Sequence, residues 1–178
     1  MSDPQTKTVV NENSGSQAAT YLINIDGKAL ASSVEGFADY GLLYRFHYEL
    51  KRNISADAGG GLNTNSKVQT TPLVIDIADG PYVADMEKMM VSGEPLPKIT
   101  VVKLANIGGT NKIVDKTIFE TNYITNIKPN MDLNATVQLT TWTYRFNKIT
   151  HTVFKYKQDG TLEGQNESVY DFSKNRAG

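Results

Sequence analysis

The chain's 178 residues are enough for one domain with a substantial core, and 39% hydrophobic and 21% charged residues are typical of an ordinary globular protein. Eighteen basic residues against 19 acidic ones leave a formal net charge of -1; this argues against a basic, nucleic-acid-binding face and is compatible with self-association. With no cysteine, disulfides and thiolate chemistry are excluded.

Residues 1–19 are polar, rich in Asn, Ser, Gln and Thr, and contain no apolar core of a signal peptide. They are expected to form a disordered N-terminal arm ahead of a single domain at 20–178. No apolar run approaches the roughly 18 residues of a membrane span, so no membrane insertion is expected. The protein is expected to be cytoplasmic until a dedicated machine exports it.

Residues 20–27 read as a strand ending in an Asp26-Gly27 turn, with 28–33 leading into a short second strand. Residues 42–52 alternate clearly. Tyr44, Phe46, Tyr48 and Leu50 lie on one face, with Arg45, His47 and Glu49 on the other. Residues 55–67, which contain Gly59-Gly60-Gly61, read as a long flexible loop. A strand over 68–78 follows, in which Pro72 should sit at an edge, a strand start or a bulge.

Residues 79–93 are the one convincing helix. Asp79 or Gly80 would cap it, Pro81 suits its first turn and Gly93 its end. Tyr82, Val83, Met86, Met89 and Met90 form its apolar stripe, which must be buried against a sheet. Further strands are expected at 98–107 and, after a turn at 108–111, at 112–121. Residues 123–127 either continue that strand or begin another. Residues 133–149 read as a long strand with a phase change, from a bulge near Thr140-Thr141 or from two buried faces. The β pattern extends through Thr152, Phe154 and Tyr156. Turn signals at 158–160 and 162–164 then precede a last strand at 167–172. The fold class is mainly β: a β-barrel of two packed antiparallel sheets with one flanking α-helix.

No catalytic constellation emerges, and the protein is not expected to be an enzyme. His47 and His151 are the only histidines and neither has a metal-ligand spacing around it, so structural or surface roles are expected. Asp76 and Asp85 have no calcium-loop pattern, and Asp79 is explained as a cap. The three-glycine run lacks the Gly-Lys-Ser/Thr ending of a phosphate loop. Met86, Met89 and Met90, like Trp142, Tyr144 and Phe146, are expected in the core. No cofactor, metal or nucleic-acid partner is implied.

Several short stretches resemble the haemolysin-coregulated protein (Hcp) family, the tube proteins of bacterial type VI secretion systems. They are Tyr21-Leu-Ile-Asn-Ile-Asp26, the glycine-rich 59–67 loop, Thr71-Pro-Leu-Val-Ile75, the Pro-Tyr-initiated helix, Arg145-Phe-Asn-Lys-Ile-Thr150, the 157–160 turn and Val169-Tyr-Asp-Phe-Ser-Lys-Asn175. His151 and Val153 depart from positions where aromatic residues are common in the family. The resemblance covers about residues 20–178. It implies a subunit that forms homohexameric rings, which stack into a tube inside a sheath, carry a spike and deliver effectors in the lumen. The subunit would leave the cytoplasm without a signal peptide. Gly59, Gly60, Gly61, Leu62 and Asn63 are expected to bridge stacked rings. Arg45, His47 and Glu49 are expected to line the lumen or the outer surface. The alternatives are a tail-tube protein of a contractile phage-like device and, less favoured, a small-ligand-binding β-barrel.

Overall fold

Leu73, Ile75 and Ile77 are buried while Val74, Asp76 and Ala78 are not, the alternation of a strand with one face in a core. This strand belongs to a computed structural model that describes residues 20–30, 32–56, 61–63, 67–174 and 176–177. The N-terminal arm expected at 1–19 lies outside the described residues. The strands are β1 (Thr20–Ile25), β2 (Gly41–His47), β3 (Leu50–Arg52), β4 (Ser55–Ala56), β5 (Leu62–Asn63), β6 (Val68–Thr70), β7 (Leu73–Ala78), β8 (Leu96–Ile107), β9 (Thr110–Asn130), β10 (Leu139–Tyr156), β11 (Leu162–Asp171) and β12 (Arg176–Ala177). The one helix among the described residues, α1 (Val83–Ser92), lies between β7 and β8.

The strands pair antiparallel in the cyclic order β1, β2, β7, β10, β9, β8 and back to β1, so the sheet closes on itself. A six-stranded barrel has no free edge of its own and is narrow enough for side chains to fill. The expected mainly β barrel with one helix is the fold that forms. One edge of β10 is shared: Leu139 to Tyr144 pair with β7, and Lys148 to Tyr156 pair with β11, which extends the wall beyond the barrel.

Ile23, Ile25, Ile75, Ile99, Phe119, Trp142, Tyr144 and Phe146 fill the interior. A chain of tilted and edge-on aromatic contacts, with centroids 4.8 to 6.4 Å apart, joins Phe46, Tyr48, Phe119, Phe146 and Phe172. A second cluster covers the outside of β1 and β8, where Val34, Phe37 and Tyr40 pack on Leu22, Val102 and Leu104. Residues 28–33, expected to lead into a short second strand, are followed by no strand before β2 among the described residues. That part of the chain leads into a covering loop, and β2 begins only at Gly41.

Two irregularities change the expected strand phases. In β2 a register shift between Leu43 and Arg45 places Leu43 in the core and Tyr44 outside it. In β10 the core-facing residues run Trp142, Tyr144 and Phe146, then Ile149. That change of parity lies opposite Thr121 of β9, whose φ of 55° is left-handed. The neighbouring Asn122 is wholly buried and donates from Nδ2 to the carbonyls of Phe119 (2.9 Å) and Leu96 (3.3 Å). Residues 123–127 therefore continue β9 past a kink. Residues 131–138, expected inside a strand from 133, form a loop instead. There Asp132 Oδ1 accepts the Asn134 N–H in an Asx turn. The 162–164 turn signal lies within β11, at a shift in its pairing with β10.

α1 starts at Val83, later than expected, because Asp79 does not cap it; the Asp79 carboxylate instead accepts from Thr140 Oγ1 at 2.6 Å. Tyr82 holds the start through its hydroxyl, which donates to the Ala78 carbonyl. Gly93 ends the helix at φ 73°, with its N–H on Met90 and that of Glu94 on Met89, a Schellman closure. Tyr82 and Met86 enter the core and Val83 and Met89 pack on it, but Met90 lies at the margin of the buried stripe and is exposed. Because α1 follows the end of β7 and precedes the start of β8, it closes one end of the barrel, called the helix end below. Gly108 is needed at the opposite side of the fold: a Cβ there would lie 2.9 Å from the Asp159 carbonyl oxygen of the neighbouring turn.

Candidate assembly surfaces

The stretch expected as a flexible loop is part of a paired ribbon. β3 pairs with β6 (Leu50 with Thr70, Arg52 with Val68), and further out β4 pairs with β5 (Ser55 with Asn63, Ala56 with Leu62). These rungs belong to no barrel strand, so the ribbon projects as an arm. Its base is pinned where it leaves the barrel: Glu49 N–H donates to Thr71 Oγ1 at 2.8 Å, and Thr71 N–H to the Glu49 carbonyl at 3.0 Å. Pro72, which cannot donate, sits in the break between β6 and β7. Of the expected ring-bridging residues, Leu62 and Asn63 are on β5 and Gly61 immediately precedes it, exposed; Gly59 and Gly60 lie outside the described residues. Leu50 and Ile54 are large apolar side chains left exposed on the arm.

Arg45, His47 and Glu49 follow the outward face of β2 into the arm base. Arg45 makes a forked contact with Asp76 (Nε to Oδ2 2.9 Å, a terminal nitrogen to Oδ1 3.1 Å) and reaches Thr141 Oγ1 at 3.4 Å. Asn130 Nδ2 donates to the same threonine oxygen at 2.8 Å. A polar network therefore crosses β2, β7, β10 and β9 outside the barrel. No sequence pattern links Asp76, Thr141 and Asn130 to Arg45, and only strand pairing assembles them. The Glu49 carboxylate lies 2.6 Å from the Lys51 ammonium, which holds its pKa below the ordinary value, and 3.9 Å from His47.

His151 has a partner of its own: its Nε2 is 3.1 Å from both oxygens of Asp115. Among the described residues no three metal-ligating side chains converge. Asp85 lies between Lys28 (3.8 Å) and Lys88 (3.7 Å) on the exposed side of α1. At the helix end the 131–138 loop carries Met131 and Leu133, the latter fully exposed, and Val91 projects from α1. Among the described residues no helix is long and apolar enough to cross a membrane.

The described residues thus form a filled barrel, closed at one end by a helix and carrying a projecting ribbon at the other. Solved structures share it. One described as a type six secretion system protein superposes with a TM-score of 0.78 at 12% identity, covering 90% of this chain and all of that one. Hcp1 from Salmonella typhimurium gives 0.70 at 19% identity over 90% of this chain and 99% of its own. Secreted protein Hcp3 from Pseudomonas aeruginosa gives 0.53 at 20% identity over 84% and 97%. The fold is that of the Hcp proteins across most of the chain. No protein-family model matches the chain. No curated protein sequence matches it.

Proposed function

We propose that the protein is a structural, non-enzymatic tube subunit of a type VI secretion system. It forms homohexameric rings that stack within a sheath, behind a spike, with effectors carried in the lumen. Firing of the tube carries it from the cytoplasm out of the cell. The observation that carries this reading is the Hcp fold itself, matched over 90% of this chain and essentially the whole of the first two similar structures.

The distribution of exposed groups supports it. Apolar side chains are exposed at both ends, Leu50 and Ile54 on the arm and Met131 and Leu133 at the helix end, as end-to-end stacking requires. In this reading the stretch Gly59 to Asn63 reaches the next ring, and the polar face containing Arg45, His47 and Glu49 lines the lumen or the outer surface. A ligand-carrying barrel is disfavoured because Trp142, Tyr144, Phe119 and Phe146 occupy the interior. Light scattering with negative-stain microscopy tests the proposal. The expected result is rings of six times the 19.6 kDa chain mass; a monomer at every concentration overturns it.

A further inference from the structure

We propose that the open mouth of the barrel, at the end opposite α1, binds one carboxylate group on a compact apolar body, with the Lys103 ammonium as its anchor. The mouth holds a cavity of about 250 Å³ between β1, β2, β8, β9 and β10. Tyr21, Phe46 and Tyr48 are among its aromatic walls, and Lys103, Asp115 and His151 are among its polar groups.

The charge pattern identifies the missing partner. Lys103 and Asp115 are direct cross-strand neighbours in β8 and β9 and would form the obvious pair. Asp115 is instead engaged by His151 through both carboxylate oxygens. No carboxylate among the described residues comes within 4.0 Å of the Lys103 ammonium, which stands 5.7 Å from the centre of the Tyr21 ring. Arg45, the cavity's other permanently charged cation, already has Asp76. A half-buried ammonium among aromatic walls, with its cross-strand carboxylate turned to His151, favours a singly charged anion at contact distance. The Asp115 charge nearby disfavours a doubly charged one such as phosphate. Tyr48 also lines the cavity, and burial, then Asp115, raises its pKa further above neutrality. The volume, below the range of drug-sized pockets, limits the body to about one ring or a short branched chain.

The carboxylate has two possible sources, a free small acid or an acidic side chain of another copy. Asp132, beside the exposed Leu133 at the helix end, has the second chemistry. That source rests on the stacking proposed above, whereas the first does not. The test titrates sodium benzoate into the full chain followed by NMR, with benzamide and inorganic phosphate as comparison probes, and repeats it on Lys103→Met. Saturable binding of benzoate in the millimolar range, at least about tenfold weaker for both comparison probes and for the variant, supports a free acid. Loss of stacking in both Lys103→Met and Asp132→Asn, with benzoate dissolving wild-type stacks, supports the neighbouring copy. If benzoate binds both proteins equally or neither, and stacking is unchanged in Lys103→Met, the inference is overturned. Absence of rings combined with Lys103-dependent benzoate binding removes the tube reading and leaves the site standing. Melting of Lys103→Met at the wild-type temperature shows that the variant is folded.

Discussion

Tyr144 is wholly buried, and its hydroxyl is without a hydrogen-bond partner in the core. Removing an unpaired buried hydroxyl stabilises, so Tyr144→Phe should gain about 1 kcal/mol in urea unfolding at neutral pH. Burial, with a smaller effect from Tyr82, holds the Tyr144 pKa well above its ordinary 10.0. The neutral form is therefore favoured in the folded state, and its contribution is complete below pH 10 and lost as pH rises beyond it. The variant should consequently lose stability less steeply above pH 10 than the wild type. Asn122 is the converse case. Its amide serves two backbone carbonyls at a kink where Thr121 is left-handed, so Asn122→Ala should cost about 2–3 kcal/mol by the same measurement. Neither role could be read from sequence. An asparagine beside a threonine resembles any polar step in a strand until β8 supplies the Leu96 carbonyl and β10 shows the change of phase.

Among the elements, α1 was legible because its apolar spacing, Pro81 and Gly93 are local signals. Its start was not, because Thr140, far away in the chain, takes the carboxylate that would have capped it. Met86 is fully buried, whereas Met90 is 37% exposed. Met86→Ala should therefore cost about 2–4 kcal/mol in denaturant unfolding, and Met90→Ala less than about 0.5 kcal/mol. Gly93→Ala should cost about 1 kcal/mol because φ 73° strains any residue with a Cβ. The arm was visible only as a glycine-rich interruption. Its short strands lack strong alternation, and the pairing of Leu50 with Thr70 joins residues that the intervening chain must first bring together.

For the whole molecule, the assembly role proposed for the arm can be separated from folding. Leu50, Arg52, Ile54 and Gly61 are exposed, and among the described residues none of the arm belongs to the main buried cluster. Replacing residues 53–67 with a two-residue Asn-Gly turn should leave the melting temperature within about 4 °C of wild type and prevent stacking in sedimentation. Stacks of normal length in that variant would exclude the arm from ring contacts. The sequence by itself determined the class: a neutral, cysteine-free, β-rich chain with one amphipathic helix, because composition and short-range periodicity report which faces can be buried. Tertiary structure alone decided that the sheet closes into six strands, that β10 divides one edge between β7 and β11, and that Asp115 goes to His151 rather than Lys103. Those outcomes depend on register between strands distant in sequence. A strand's own alternation says which residues share a face, but not which partner they meet across it.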